Sequence, residues 1–252
     1  MLNFFDLANN GLPYPITKDI LVLYKQVSRQ YLDKGTLDSV RMLVPVKIKD
    51  EFDEALSENA DLMLPMTLLL NWFKQDFMKW MDKIPMCPRC NLSMTSRSIK
   101  GNSWIVRSVE YHTCPQCSFT LVFPRYGEIE NIAFNRIGRC SEWSFLFGAI
   151  LCSLSIQSRI VHDFLDHCWN EALIGGKWIH VDSTLQYPIS IDNPHYYEKN
   201  WNKKYRYVIA FSDNEITDVT KDYSYNWKMV LEQRKKRKDR DMSRIIDYYK
   251  KI

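Results

Sequence analysis

The stretch DHCWNEALIGGKWIHVDST, residues 166–184, contains two strand-like runs joined by Gly175 and Gly176. A Gly-Gly pair between such runs is a strong signal for a two-residue β-hairpin loop. With these glycines as the loop, Ile174 pairs with Lys177, and the register can be counted outward from that pair. Because successive side chains of a strand point to opposite faces, this register predicts six polar or aromatic residues on one face: His167, Trp169, Glu171, Trp178, His180 and Asp182.

In this register His167 and Asp182 are diagonal neighbours, close enough for their side chains to meet. A carboxylate in that position can orient an imidazole and stabilise its charged form, as in a catalytic triad. The alternative is that His167 is a half-buried structural histidine and that Asp182 only begins a loop. The polar cluster favours catalysis, provided that the register holds, because a slip of one residue moves one strand's set to the other face.

The cysteine of the stretch GRCSEW, residues 138–143, directly precedes the apolar run SFLFGAILCSLSI. A small cysteine before a buried helix is commonly a packing residue. At a helix N-terminus, however, free N–H groups and the helix dipole favour the thiolate, and Arg139 adds positive potential. We therefore predict Cys140 as a nucleophile that forms a thiolate–imidazolium pair with His167. Cys152 and Cys168 are predicted to be packing residues.

Two Cys-x-x-Cys pairs are separated by 23 residues and predict a metal site. Their cysteines are Cys87, Cys90, Cys114 and Cys117. Each pair places two thiolates on one side of a tight turn, so the two turns can supply four sulfur ligands in a tetrahedron. Zinc suits such a site, iron is not excluded by the sequence, and a pair of redox dithiols is the remaining alternative. With all four positions filled by protein, the metal is expected to be structural.

The chain has 252 residues, of which 46% are hydrophobic and 25% charged, as expected for a globular protein with a substantial core. The net charge of +4 is too small to indicate a nucleic-acid partner. The opening residues lack the pattern of a secretory signal, and the run 145–156 is about half of the roughly 20 residues that a membrane-spanning helix needs. We therefore expect no membrane insertion. The cysteine pattern fits a reducing compartment, so we expect the protein in the cytosol or nucleus.

Hydrophobic periodicity predicts mainly helix over residues 17–80. One helix begins near Asp19 with a stop at Gly35, and a second, rich in aromatics, follows Pro65. Short strands and turns are predicted from Cys87 to about Phe123, and strands again from Ser158 onward. The basic run RKKRKDR, residues 234–240, could address the nucleus or a partner, but a solvated helix face is favoured.

Several motifs occur in a fixed order: the two cysteine pairs, FPRY at 123–126, GRCSEW, DHCWNE, KWIHVDS and NWNKKYRYVIAF at 200–211. Together they resemble the cytoplasmic peptide:N-glycanases, which belong to the transglutaminase-like superfamily and have a papain-like cysteine-hydrolase architecture. The resemblance extends over about residues 68–223. Together with the helical periodicity and the basic run, it predicts an α+β fold in four parts: an N-terminal helical region (1–82), a zinc-binding module (83–123), a transglutaminase-like catalytic core (124–225) and a basic C-terminal helix or tail (226–252).

The resemblance also implies roles for individual residues. Cys140 corresponds to the nucleophile, His167 to the general base and Asp182 to its orienter, while the four paired cysteines correspond to ligands of one structural zinc ion. Five further residues match positions that line or support the substrate cleft: Trp80, Arg159, Trp169, Glu171 and Trp178.

This sequence departs from the family pattern at a few positions near these motifs. Ser141 stands where glycine usually follows the nucleophile, and His162 stands where tryptophan is usual. Thr184 and Leu185 replace a cysteine and an acid after the HVDS element. These departures put substrate contacts and rate in question but leave the triad intact.

The activity that the resemblance implies is removal of N-linked, high-mannose glycans from misfolded or denatured glycoproteins in ER-associated degradation. Asparagine would be converted to aspartate through a cysteine thioester. A cysteine protease or a transglutaminase could use the same triad, and a catalytically silent glycan- or partner-binding scaffold is a further alternative. The resemblance also raises the first helices as a surface for a proteasome-shuttling ubiquitin receptor.

Overall fold

The computed structural model describes residues 16–236 and 243–252. Residues 1–15 of the predicted N-terminal helical region and residues 237–240 of the basic run lie outside the described residues.

The described residues form an α+β fold with ten helices and ten strands. The helices are α1 (Lys18–Gln30), α2 (Lys34–Leu43), α3 (Val46–Ser57), α4 (Met63–Trp72), α5 (Ile129–Asn135), α6 (Cys140–Ser153), α7 (Tyr196–Asn200), α8 (Thr220–Tyr223), α9 (Trp227–Lys236) and α10 (Ser243–Lys251). The strands are β1 (Lys79–Trp80), β2 (Thr95–Lys100), β3 (Val106–Thr113), β4 (Thr120–Tyr126), β5 (Ile137–Gly138), β6 (Ser158–His162), β7 (Cys168–Ile174), β8 (Lys177–Val181), β9 (Ile209–Phe211) and β10 (Ile216–Asp218).

The first helix begins where Thr17 caps it and ends earlier than its periodicity predicts. The Thr17 hydroxyl accepts the N–H of Ile20 at 3.2 Å, and α1 stops at Gln30. The predicted stop at Gly35 is wrong, because Gly35 lies inside α2. The carboxylate of Asp33 accepts the N–H of Thr36 at 2.8 Å, and this cap starts a new helix in which glycine is tolerated.

The aromatic helix also differs from its prediction at both ends. It starts at Met63, so Pro65 lies in its first turn, where the missing N–H of proline costs no hydrogen bond. After α4 the chain makes a π-helical turn at Phe73–Phe77, and the predicted continuation through Trp80 is wrong. Instead β1 pairs in parallel with β5, directly before α6.

The central sheet is antiparallel, with strand order β10-β9-β6-β7-β8. Its β7–β8 hairpin has the predicted register: Ile174 pairs with Lys177 and Glu171 with His180. Both loop glycines have positive φ, 56° at Gly175 and 75° at Gly176, a conformation that favours glycine. The prediction for this hairpin is confirmed.

Helix α6 is buried along nearly its whole length and packs against the central sheet. The same hydrophobic core includes side chains from α1 to α4, so the N-terminal helices share one core with the sheet. A second buried cluster contains Trp169, Tyr197, Tyr205 and Tyr223, from β7, α7, the loop after α7 and α8. These two clusters hold α6 and the hairpin in fixed relative positions.

The cysteine-rich segment forms its own three-stranded antiparallel sheet, β2-β3-β4. Strand β4 continues to Tyr126, past the predicted boundary at residue 123. This continuation carries Arg125 to the start of α6, where it bonds Glu142. The module is therefore joined to α6 by side-chain contacts as well as by the chain.

The C-terminal helices pack on the body of the protein. Arg234, the first residue of the basic run, forms an ion pair with Asp218 at 2.7 Å and lies over the Tyr207 ring. In α10, Ile245 and Tyr249 are buried. The prediction of a solvated helix face therefore does not describe Arg234, which packs against the protein. Within the part of the chain described here, no helix combines the length and the apolar character needed to cross a membrane.

We expect Gly148→Ala to destabilise the protein by about 1–3 kcal/mol, because the added Cβ would overpack the core. That atom would lie 2.2 Å from the Tyr31 hydroxyl and 2.7 Å from Nδ2 of Asn170. The matched control is Gly35→Ala in α2, whose Cβ would approach only Asp33 Oδ2, at 3.3 Å. The control should change the free energy of unfolding by less than about 1 kcal/mol. Urea unfolding of both variants measures the difference, and equal effects would contradict this packing.

Candidate active site

The structure brings Cys140, His167 and Asp182 together from three elements. Cys140 is the first residue of α6, His167 immediately precedes β7, and Asp182 immediately follows β8. His167 Nε2 lies 2.7 Å from Asp182 Oδ2, and both side chains are buried. An ionised carboxylate only accepts hydrogen bonds, so Nε2 carries the proton. Nδ1 is therefore the ring nitrogen left for the Cys140 thiol, whose charge helps to raise the pKa of His167. The Cys140 sulfur itself lies 3.8 Å from the backbone carbonyl oxygen of Asp166.

The loop that presents His167 is held by Asp163. The Oδ1 atom of Asp163 accepts the backbone N–H groups of Leu165, Asp166 and His167 at 2.9–3.0 Å. Lys203 donates to Asp163 Oδ2 at 2.8 Å and also contacts Asp166. This carboxylate fixes the backbone just before the imidazole, so the histidine cannot swing away without breaking several hydrogen bonds.

The surrounding charges favour a thiolate–imidazolium pair at neutral pH. Burial disfavours the charged imidazole, but Asp182 and Cys140 outweigh it and raise the pKa of His167 to about 10. Hydrogen bonding from the Cys168 thiol, opposed by burial, acts together with His167 to hold the pKa of Cys140 well below its usual value. For Asp182, burial is outweighed by His167, and the pKa falls well below its ordinary value. Cys140 is therefore poised as a nucleophile.

Cys168 lies closer to the nucleophile than the sequence interpretation implies. It is buried, its sulfur is 3.4 Å from the Ser144 hydroxyl, and its thiol contributes to the lowered pKa of Cys140. Burial raises the pKa of Cys168 well above the usual value, so it remains a thiol. The prediction that Cys168 only packs is incomplete, because this thiol also helps to lower the pKa of Cys140.

The first turn of α6 rests on a buried cluster of opposite charges. Glu142, the third residue of the helix, is fully buried and bonds the guanidinium groups of Arg107 and Arg125. It also accepts the N–H of Arg139 at 3.0 Å. Burial raises its pKa, but the arginines outweigh burial and lower the pKa of Glu142 to about 2. This paired carboxylate fixes the helix turn that carries Cys140.

Ser141, which replaces the expected glycine, points into this cluster. Its hydroxyl accepts hydrogen bonds from Arg107 and Arg125, each at 2.9 Å, and lies 3.2 Å from Glu142 Oε2. The side chain is buried. The serine is therefore accommodated at the helix start by two arginine donors.

A cavity of 560 Å³ opens over the Cys140 thiol. Its wall contains both cations and aromatic rings: Lys74, Arg107, Arg125, Arg139, Trp80, Trp143 and Trp201. Trp80 is 50% exposed and Trp201 is 42% exposed, so these rings form part of the open rim. Trp201 also places its edge against the His167 ring, with 5.1 Å between centroids.

Of the five predicted cleft residues, only Trp80 lines this cavity. The other four lie behind or beside the triad. Trp169 is buried, with its ring 5.7 Å from that of His167. Glu171 is buried and bonds Arg159 at 2.5 Å, and the Arg159 guanidinium lies 4.2 Å from the Trp178 ring centre. These positions support the hairpin, and a direct role in substrate binding stays a prediction.

His162 lies at the end of β6 and lines the same cavity. Its ring packs against Phe164, with 4.4 Å between centroids, and against Tyr24 at 5.7 Å. Burial lowers the pKa of His162 to about 4, so the ring is neutral near pH 7. It therefore fills an aromatic position without adding a charge beside His167.

Several residues of the site were not singled out from the sequence. Lys74 donates to the Thr184 carbonyl at 2.6 Å and lines the cavity, but nothing in its local sequence distinguishes it from a surface lysine. Tyr197 contacts Asp182 from a short helix and likewise has no local signal. Arg125 and Trp201 do have one, because they lie in the motifs FPRY and NWNKK.

The four paired cysteines form a candidate metal centre. The sulfur atoms of Cys87, Cys90, Cys114 and Cys117 all lie within 4.8 Å of one another. Two of the separations are 3.6 and 3.9 Å. A tetrahedron of thiolates about 2.3 Å from zinc has edges of about 3.8 Å, so the donors fit such an ion. Their chemistry and spacing are consistent with a structural metal site.

Each cysteine pair is held by the same turn. The N–H of Asn91 bonds the Cys87 carbonyl at 2.8 Å, and the N–H of Ser118 bonds the Cys114 carbonyl at 3.0 Å. Asn91 and Ser118 have φ values of 54° and 58°. The two turns therefore present their thiols in equivalent geometries, as the spacing of the pairs predicts.

Family comparisons agree with this architecture. Residues 94–183 match the transglutaminase-like superfamily, and residues 166–252 match the Rad4 transglutaminase-like domain. The crystal structure of Rad4-Rad23 bound to a 6-4 photoproduct UV lesion is similar over 92% of this chain and 55% of that chain, with a TM-score of 0.53 and 15% identity. This likeness concerns the fold alone. The predicted α+β, transglutaminase-like fold is confirmed.

Two curated relatives are similar over most of the chain. A peptide-N(4)-(N-acetyl-beta-glucosaminyl)asparagine amidase of Caenorhabditis briggsae is 32% identical over 222 residues, which are 85% of this chain and 36% of the relative. The Gallus gallus protein of the same name is 38% identical over 192 residues, which are 72% of this chain and 28% of the relative. The chain spans about a third of the length of these curated relatives.

Iodoacetamide should alkylate Cys140 at pH 6 faster than it alkylates a free thiol, because the lowered pKa of Cys140 increases its thiolate fraction at that pH. His167→Ala removes a positive charge beside the sulfur, so the pKa of the Cys140 thiol should rise and alkylation at pH 6 should fall more than about tenfold. Peptide mass spectrometry measures the rates.

Cys152 is the internal control for this experiment, because burial raises its pKa to about 11 and it should stay unmodified. A wild-type Cys140 rate that climbs from pH 6 to pH 8 like that of a free thiol would contradict the ion pair.

Proposed function

The chain belongs to the peptide:N-glycanase family of the transglutaminase-like superfamily, and we propose that it is an amidohydrolase that releases N-linked glycans from asparagine. The observation that carries this proposal is the convergence of Cys140, His167 and Asp182, with Cys140 and His167 lining one open cleft and His167 bonded to Asp182 at 2.7 Å. The substrates would be misfolded or denatured glycoproteins, whose unfolded chains can enter such a cleft.

The first step is attack on the side-chain amide of the glycosylated asparagine. The Cys140 thiolate bonds to the amide carbon, and the carbonyl electrons move to oxygen to form a tetrahedral intermediate. Backbone N–H groups in the first turn of α6 would donate to the developing oxyanion, and the helix dipole would add to their field. The buried contacts of Glu142 keep that turn in place as charge develops.

His167 then acts as the acid. Its Nδ1 proton passes to the departing glycosylamine, the carbon–nitrogen bond breaks, and a thioester on Cys140 remains. Neutral His167 next takes a proton from water, which attacks the thioester and leaves aspartate in the peptide. Asp182 stays ionised throughout, since His167 and its other hydrogen-bond partners hold its pKa low.

The rim of the cleft suits a sugar attached to an extended peptide. Trp80 and Trp201 expose indole rings on which a sugar ring can stack, and Lys74, Arg107 and Arg139 supply hydrogen-bond donors. A generic cysteine protease would use the same triad, so the position of the cleaved bond distinguishes the two activities. The high-mannose glycans implied by the family are the substrates that we propose to test first.

The metal that the four cysteines would hold is proposed to be one zinc ion. Four thiolates leave no open position for a substrate or water, so the ion supplies folding energy to the cysteine-rich sheet and not chemistry. This sheet carries Arg107 and Arg125 to the start of α6. Through them the zinc module supports the turn that bears Cys140.

The cellular setting is proposed from family membership. ER-associated degradation supplies unfolded glycoproteins on the cytoplasmic side, and a reducing cytoplasm or nucleus keeps thiolates free for zinc and catalysis. The first helices are proposed as a binding surface for a proteasome-shuttling ubiquitin receptor. In support, Met42 of α2, Val46 of α3 and Leu32 in the turn between α1 and α2 expose apolar side chains.

A denatured high-mannose glycopeptide incubated with the protein should lose its glycan and gain aspartate at the glycosylated position. In water enriched in oxygen-18 the new carboxylate should carry one heavy oxygen, which mass spectrometry detects. Cys140→Ala should abolish the reaction, whereas Cys152→Ala, in the same helix but outside the cavity, should retain it. Peptide-bond cleavage with the glycan still attached would contradict the proposal.

The purified chain should contain one zinc ion and no stoichiometric iron by elemental mass spectrometry. Cys114→Ser should lose the zinc and lower the thermal midpoint, because the sheet that it staples loses a ligand. Cys152→Ser, a matched change away from the metal centre, should keep the zinc content. Iron in place of zinc, or full metal retention by Cys114→Ser, would contradict this assignment.

A further inference from the structure

A chain of buried hydrogen bonds continues beyond Asp182, away from the cavity. The Tyr197 hydroxyl lies 2.8 Å from Asp182 Oδ2, the same oxygen that bonds His167. It also lies 2.6 Å from Nε2 of His180. Tyr197 and His180 are buried, and neither lines the cavity, so neither can touch a substrate there.

The direction of every bond in this chain is determined. The backbone N–H of Asn193 donates to His180 Nδ1 at 3.3 Å, so that nitrogen is an acceptor. Burial lowers the pKa of His180 to about 4, so near pH 7 the ring has one N–H, which must be at Nε2. That N–H donates to the Tyr197 oxygen, and the Tyr197 hydroxyl in turn donates to Asp182.

The other carboxylate oxygen is also bonded. Asp182 Oδ1 accepts both the N–H and the hydroxyl of Thr184, at 2.8 and 2.7 Å. With two donors on each oxygen, the carboxylate plane cannot rotate without losing charge-assisted hydrogen bonds. The orientation of the His167 ring is then set by the oxygen that Tyr197 holds.

We infer that Tyr197 and His180 are positioning residues, which fix the Asp182 carboxylate and through it the imidazole that serves Cys140. The kinetic part of this inference rests on the proposed function, whereas its effect on His167 does not. A purely structural interpretation treats Tyr197 as a core ring, because it stacks on Trp169 with 4.7 Å between centroids. The two interpretations differ in what the hydroxyl alone contributes.

The titration of His167 reports on this hydroxyl. Removing a donor from Asp182 leaves more negative charge on the carboxylate, which stabilises the imidazolium and raises its pKa. The titratable groups around His167 come from every element packed on it: Cys140, His162, Asp163, Cys168, His180, Asp182, Tyr197 and Lys203. Tyr197→Phe removes one hydroxyl from this set of groups and changes no charge near pH 7.

The experiment compares Tyr197→Phe with Tyr205→Phe in the full chain. Tyr205 lies in the same buried cluster, and its hydroxyl has no hydrogen-bond partner among the residues described. In ¹⁵N-histidine NMR, Tyr197→Phe should move the His167 titration above its value of about 10 by roughly half a unit. With a glycopeptide, kcat should fall about tenfold at unchanged KM. Tyr205→Phe should change neither quantity.

His180 provides the second, independent set of variants, which also serves if Tyr197→Phe does not fold. His180→Leu removes the donor to Tyr197 and should lower kcat, whereas His180→Gln keeps a side-chain N–H and should restore most of it. In the double variant, His180→Leu should add little to Tyr197→Phe, because His180 acts through that hydroxyl.

A Tyr197→Phe protein with the titration and kcat of Tyr205→Phe would overturn the inference, as would additive losses in the double variant. If the wild type releases no glycan, the proposed function fails. The NMR titration still decides the role of Tyr197 in that case.

Discussion

The buried hydrogen bond between His167 and Asp182 is the contact on which the catalytic arrangement depends. At 2.7 Å, with Asp182 fully buried, it is an ion pair in surroundings of low polarity. Such a pair is stable only if the other lone pairs of the carboxylate also accept hydrogen bonds. Thr184 and Tyr197 satisfy them. The histidine can therefore stay charged beside a thiolate, which is the state that a cysteine hydrolase needs before its substrate arrives.

The nucleophile depends on a second buried network at the start of α6. Glu142 is held by arginines that come from the cysteine-rich sheet, and Ser141 adds a hydroxyl to the same network. A structural metal held by the four cysteines, as proposed, would thus be physically connected to the start of α6. Losing the metal would loosen the sheet, then the arginines, and then the helix turn that bears Cys140. The serine that stands in place of glycine at position 141 accepts hydrogen bonds from the same two arginines.

The sequence determined the hairpin and the cysteine pairs because both are local patterns. Gly175 and Gly176 define a two-residue loop, and strand alternation then places His167 and Asp182 on one face without further information. The spacing of the cysteine pairs likewise predicts two equivalent turns. Helix ends were less predictable: Gly35 resembles a stop, but Asp33 two residues earlier supplies the cap that begins a new helix.

Only the tertiary structure decided which groups surround the triad. Lys74, Arg107 and Tyr197 come from separate elements, and their approach to Cys140 or Asp182 depends on packing between helices and sheets that no local pattern encodes. Packing also placed Cys168 beside the nucleophile, although strand alternation puts it on the face opposite His167. The sequence by itself predicted which groups would react. Packing determined their charge states, because pKa values depend on burial and on neighbours that are distant along the chain.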